Sequence, residues 1–193
     1  ARSLYENTTP FKVDDVIAAK KLTLMDDGLI EGGLNTSAWD SEGFPKRKTV
    51  VIKDGVMKNF LYDQRFATLM GKESTGNAQR ETDKGGVMSV EFNNLVIEPG
   101  ARPLKNIVAD CQKAIHVNDL RWLNADPITG RFLAEISQAY LIENGDLGKP
   151  LKGGYLKGNV YELIKNIDEI SSETRVIMNA KLPYIKFKGL DIL

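Results

Sequence analysis

The stretch from Ile136 to Ile167, ISQAYLIENGDLGKPLKGGYLKGNVYELIKNI, leaves the backbone little choice, because three local signals follow one another without a break. Tyr140, Leu141 and Ile142 lead into Asn144-Gly145, a dipeptide that supplies the two positive-φ positions of a type I′ turn between antiparallel strands. Past Leu151, Gly153-Gly154 lets the chain bend, Tyr155 and Leu156 resume an extended run, and Gly158-Asn159 ends it. Asn159 can cap a helix, Glu162 stands where a capping box needs an acid, and Val160, Leu163, Ile164 and Ile167 recur at helical spacing. The expected unit is strand, turn, strand, helix.

A second copy of that order lies upstream. Val50 to Asp63, VVIKDGVMKNFLYD, reads as a hairpin turning at Asp54-Gly55, and Tyr62, Phe66, Leu69 and Met70 give a short helical face ended by Gly71. The echo fits either an internal duplication or two hairpins obeying one turn chemistry. Between and around these units the signals are weaker. Val13, Val16 and Ile17 suggest a short helical face in the leading segment. Leu22 to Met25 reads as a strand closed by Asp26-Asp27-Gly28, and Asn35 to Lys48 as an irregular loop. Lys72 to Gly86, almost without apolar residues, reads as an exposed loop, and Val87 to Ile97 as one strand. Pro103 opens a helix with Leu104, Ile107, Val108 and Cys111 on its buried face. Ile115 to Trp122, Arg175 to Ile177 and Tyr184 to Leu190 are the remaining strand candidates. Together these predict an α+β fold, antiparallel-rich with mixed sheets, two hairpin-plus-helix units and about three short helices.

Composition narrows the function classes. The 193 residues suffice for a sizeable core without metal or disulfide, and 26 basic against 26 acidic residues leave no net charge. No basic cluster exceeds Lys46-Arg47-Lys48, which speaks against nucleic acid as the partner. One cysteine excludes an internal disulfide and fits a reducing compartment. Apolar runs stay far below the roughly 18 residues of a membrane span, and residues 1 to 20 lack the pattern of a signal peptide. The expectation is a cytoplasmic protein.

Catalytic side chains are scarce. Zinc chemistry needs about three protein ligands, while this chain has one His, one Cys and neither H-E-x-x-H nor C-x-x-C. His116, five residues beyond Cys111, is expected off the same helix face. A hydrolytic triad would have to use His116 without a G-x-S-x-G elbow, and no phosphate-cradling glycine motif occurs. Polar binding candidates remain in the two long loops: Trp39, Asp40, Glu42 and Gly43 in the first, Ser74, Thr75, Gly76, Asn77 and Arg80 in the second. Hydroxyls, an amide and flexible backbone suit a peptide or an anion, though any solvated loop has the same composition.

Four stretches in order carry a resemblance: TSAWDSEGFPKRKTVVIKDGVMKNFLYD, LMGKESTGNAQR, NNLVIEPG and AYLIENGDLGKPLKGGYLKGNVYELIKNI. The chain from about Leu22 to Leu193 resembles the C-terminal half of the TldD/PmbA family, the modulators of DNA gyrase. The D-x-E-G turn at Asp40, Glu42 and Gly43, the run Ser74 to Ala78 and the hairpin Ile142 to Gly145 match the family as they stand. The resemblance implies intracellular proteins about twice this size that pair as dimers or heterodimers. Their TldD branch is a zinc peptidase acting on extended peptides inside a closed chamber. Its metal site joins two His of an H-E-x-x-x-H helix to a Cys near the C-terminus. Here the only His lies elsewhere and no Cys follows Arg175, so the chain looks like the metal-free PmbA branch, also called TldE.

On that footing residues 1–21 are a leading segment, read as the end of a preceding half, and 22–193 the family-like domain. The expected role is a non-metal subunit that completes the chamber and helps bind extended peptide, with no catalytic or metal-ligating residue in this chain. Its partner is a TldD-like subunit, which would hold any zinc, or a second copy. Two alternatives stay open: a part of an active zinc peptidase whose His ligands lie upstream, and a protein-binding regulator without proteolysis.

Overall fold

A computed structural model gives the fold and describes residues 1–81, 85–151 and 153–193. Thr82, Asp83 and Lys84 of the expected exposed loop, and Lys152 ahead of the paired glycines, lie outside the described residues. The fold is α+β and rich in antiparallel strands, with four short helices among the described residues. The chain divides into two compact units, residues 1–98 with 175–182, and residues 99–174 with 183–193.

The first unit is built on a sheet. Its strands are β1 (Leu24–Asp27), β2 (Lys48–Lys53), β3 (Val56–Met57), β6 (Leu95–Ile97), β11 (Ile167–Ile177) and β12 (Ala180–Phe187), in the spatial order β11-β12-β6-β1-β2-β3. The pairs of β1 with β2 and β6, and of β2 with β3, are antiparallel, while β6 and β12 run parallel at Leu95–Ala180 and Val96–Lys181. The unit boundary falls inside β11 and inside β12. A separate ribbon pairs β4 (Ala78–Glu81) with β5 (Val87–Val90). Helix α2 (Gln64–Met70) follows the hairpin as the sequence predicts, capped by the Asp63 carboxylate on Phe66 N–H and stopped by Gly71 at φ +61°. Phe66 and Ala67 bury its inner face against Tyr62.

In the second unit, β8 (Arg131–Glu143) carries β7 (Lys113–Ala125) along one edge. Along its other edge lie β9 (Asp146–Leu151) and β10 (Tyr155–Asn159), and β13 (Asp191–Ile192) extends β10. Phe132, Ala134 and Ile136 alternate inward, and the phase shifts before Ala139, where the pairing with β7 is irregular. Leu156 of β10 completes this core. Helix α3 (Leu104–Ala109) has Pro103 at its N-cap, with Ile107 and Cys111 buried as the spacing predicts.

Both hairpin turns form as read: Asp54 and Gly55 adopt φ of 50° and 80°, Asn144 and Gly145 of 51° and 84°. Four expectations change. The helix after Asn159 is a single turn, α4 (Val160–Leu163), and Ile167 is already buried in β11. Apolar spacing over so few residues does not separate a helix from a strand, and sheet pairing decides. Asn159 caps α4, but Glu162 reaches Lys165 at 3.1 Å instead of closing a capping box. The segment holding Val13, Val16 and Ile17 is no helix. It lies along the first hairpin through Asp14 N–H to Met57 O, Met57 N–H to Asp15 O and Ile17 N–H to Gly55 O, so the outer edge of β3 is occupied. The one helix in that segment is α1 (Arg2–Tyr5). Finally, Val87 to Ile97 is not one strand: Asn93-Asn94 divides it between β5 and β6, in separate sheets.

Gly55 gives a stability test. A Cβ there would sit 2.4 Å from Ala18 O in a left-handed backbone, whereas Gly71, at similar φ, has open space. Urea unfolding should show Gly71→Ala costing about 1 kcal/mol and Gly55→Ala at least about 2 kcal/mol, because only the latter adds a backbone clash to the left-handed penalty. Equal costs would refute the close approach.

Candidate functional site

Strand β1 lies between β2 and β6, and the side chain of Asp26 on it is fully buried. A carboxylate in that position needs donors. It has four: Asn77 Nδ2 at 2.6 Å, Asn93 N at 2.7 Å, Asn93 Nδ2 at 2.9 Å and Asn94 N at 3.1 Å. Burial pushes the Asp26 carboxyl above its ordinary value, and the hydrogen bonds from Asn77, Asn93 and Asn94 oppose the shift without cancelling it.

The same amides organise the loop from Ser74 to Ala78. Asn77 also donates to Glu91 O, and Asn93 Nδ2 to Gly76 O. Ser74 Oγ accepts from Gly76 N–H, and Thr75 Oγ1 accepts from Tyr62 N–H and lies 2.6 Å from Asn77 Oδ1. Gly76 has φ +73°, and a Cβ there would meet Pro45 O at 2.4 Å, so the two loops touch backbone to backbone. The expectation of a solvated loop therefore fails for this part: Ser74, Gly76, Asn77 and Ala78 are buried.

Asp40 plays the matching role in the first loop. Its Oδ1 accepts from Glu42 N–H and Phe44 N–H, and its Oδ2 from Ala78 N–H. Glu42 Oε2 accepts from Gln64 N–H at the start of α2, satisfying a donor that the helix leaves over. Lys46 donates to Asn35 O, and burial lowers its ammonium pKa while Asp26 and Asp40 hold it up. The nine sequence-nominated residues thus divide. Asp40, Ser74, Gly76 and Asn77 face inward and hold the loops, with Thr75 half-buried among them. Trp39, Glu42, Gly43 and Arg80 lie on the surface, Trp39 59 % exposed, while Arg80 reaches Gly86 O at 3.1 Å. Sequence reading missed Asp26, Asn93 and Asn94. The signal for the asparagines was an Asn-Asn pair interrupting an alternating run, a composition that favours turns.

The donors present do not fit a zinc ion. Cys111 is buried with Sγ donating to Ile107 O, His116 packs its ring 5.7 Å from that of Tyr184, and no three His, Cys, Asp or Glu groups converge among the described residues.

This fold recurs among solved structures. TldE from Thermococcus kodakarensis matches with a TM-score of 0.91 and 34% identity, over 99% of this chain and 44% of that one. A Thermotoga maritima structure named as a modulator of a DNA gyrase shares the fold at a TM-score of 0.89 and 22% identity, over 100% of this chain and 44% of that one. The profile described as PmbA/TldA metallopeptidase C-terminal domain matches residues 1–193, and the chain belongs to that family. The metalloprotease TldD homolog of Haemophilus influenzae is 30% identical over 165 residues, 86% of this chain and 34% of that protein. The chain spans less than half the length of each of these three proteins.

The Asp26 network carries a two-part prediction. Asp26→Asn, which turns an acceptor toward donors as an amide, should cost about 3 kcal/mol near neutral pH by denaturant titration. A carboxyl raised on folding binds more protons folded than unfolded. Its stabilising contribution is therefore complete below the ordinary range near 3.9 and is lost as pH rises through the higher folded value. The stability gap between wild type and Asp26→Asn should narrow over that window and then level, and a gap that widens with pH would contradict it.

Proposed function

We propose that the chain is the C-terminal domain of the TldE-like, non-metal subunit of a cytoplasmic TldD/TldE-type peptidase assembly. In this reading it completes the proteolytic chamber, helps hold extended peptide, and leaves any zinc to a TldD-like partner. The observation that carries it is the match to TldE, at 34% identity over 99% of the chain. The C-terminal strands support it further. Where the resemblance places a metal-binding Cys, beyond Arg175, the β11–β12 connection holds Met178 at φ 51° and Asn179. Asn179 Nδ2 donates to Phe92 O and Asn93 O, and its carbonyl accepts from Leu95 N–H, so this tip braces the Asn93-Asn94 turn.

Peptide holding has two supports. Trp39 offers an exposed aromatic face and Arg80 an exposed cation on the loops tied to Asp26. Strand β7 pairs only with β8 among the described residues, leaving a main-chain edge along Lys113–Ala125 that an extended peptide can join as an added strand.

The decisive experiment is reconstitution. Produced with a TldD homologue, the protein carrying this chain should co-purify as a stoichiometric pair that cleaves an unfolded polypeptide. Neither partner alone should do so, and elemental analysis should assign zinc to the TldD component. Cleavage by this protein alone, with zinc held by ligands in residues 1–193, would overturn the reading.

A further inference from the structure

Beside the Asp26 network, a groove of about 560 Å³ opens at the surface of the first unit. Phe92, Leu95 and Ala180 are the apolar residues of its lining, and Asn35, Gln79 and Glu91 are polar ones. Asn179 also lines it, but its side chain is engaged with Phe92 O and Asn93 O. The other three polar groups differ from their neighbours in having no hydrogen bond or ion pair from their side chains among the described residues. Asn35 is bonded only through its main chain, with N–H to Asn94 Oδ1 and O from Lys46 Nζ. Gln79 likewise uses its carbonyl for Ser89 Oγ, and Glu91 its N–H and O for Asn77.

The arrangement follows from strand geometry. In the β4–β5 ribbon Gln79 pairs with Ser89, and the next same-face pair is Asn77 with Glu91. Asn77 is buried and fixed to Asp26, which anchors the end of the ribbon from which Glu91 projects. A carboxylate and two carboxamides lining one groove with apolar residues suit a cation that carries an amide backbone and an apolar side chain. The carboxylate takes the charge, the amide oxygens take the remaining N–H donors, and the amide N–H groups take peptide carbonyls.

We propose that this groove is a subsite for an ammonium group of an extended peptide, with Glu91 as its counter-ion and Asn35 and Gln79 as its hydrogen-bonding partners. The proposal rests on the peptide-holding reading above and makes it specific. Two sources share the chemistry, a free amino terminus and a lysine side chain.

Fluorescence anisotropy with three labelled short peptides tests it: one without Lys or Arg and with a free amino terminus, its N-acetylated twin, and an N-acetylated twin bearing one Lys. The protein should prefer an ammonium-bearing probe over the neutral twin by about fivefold, the scale of a partly exposed ion pair, and added salt should shrink the preference. Glu91→Gln should erase it. Glu91 is exposed, so this variant should unfold at the wild-type temperature. A preference for the free terminus alone, or one shared by the Lys twin, identifies the source. Equal binding of all three probes, or a preference that survives Glu91→Gln, overturns the subsite while leaving the protein a peptide-holding subunit. Failure to bind any probe overturns both.

Discussion

The buried carboxylate of Asp26 sets the terms for the first unit. Placing a charge in the central strand of a sheet costs more than a small domain can spare unless donors replace the water that was lost. Here the donors come from three asparagines reached through two different segments, one in the second loop and one at the break between β5 and β6. Each of those asparagines is then committed to a single orientation, and each passes the constraint on through its remaining polar atoms. Asn77 fixes Glu91 O, Asn93 fixes Gly76 O, and Asn94 donates to Asp27 O and Thr36 Oγ1. A network satisfied in this way is rigid, because releasing any member exposes a buried polar atom without a partner.

That rigidity fixes the irregular loops on which the proposed peptide holding rests. Asp40 ties the first loop to the second through Ala78 N–H, and Gly76 lets Pro45 O approach where any side chain would collide. The exposed groups Trp39, Gln79, Arg80 and Glu91 stand on a base that buried hydrogen bonds hold in place. A backbone held in place loses little entropy on meeting a ligand. Under the proposed function, this is how a subunit without catalytic ligands would serve a peptidase, by holding substrate rather than by cutting it.

The second unit follows a different logic. Its core is apolar and its organiser is one long strand, β8, flanked by β7 on one edge and by β9 and β10 in succession on the other. Two strands share an edge because both run antiparallel to β8 in the same direction, the second resuming the edge after Gly153-Gly154, where both glycines have positive φ. Its polar contacts include a buried hydroxyl, Ser171, which accepts from Tyr184 N–H and donates to Glu173 O, and surface ion pairs, where Arg102 meets Glu169 and Asp110 and Asp168 meets Lys186 and Lys188. Such exposed pairs stabilise weakly; the alternation of Phe132, Ala134 and Ile136 supplies the drive.

The sequence by itself determined whatever depends on a few adjacent residues. Asp54-Gly55 and Asn144-Gly145 specify their turns because only certain residues tolerate two positive φ angles, Asp63 and Gly71 mark the ends of α2, and the spacing from Leu104 to Cys111 marks α3. Tertiary structure alone decided which polar residues are inward. Asp26 reads as a turn residue and Asn77 as part of a solvated loop until the partners 51 and 67 positions away are in place. It also decided that Ile167 belongs to a strand, that Val16 lies along a hairpin, and that Val87 to Ile97 serves two sheets. The reason is physical. Turn and cap preferences are stored in local backbone energies, whereas the cost of burying a carboxylate or pairing a strand depends on what the rest of the chain brings to it.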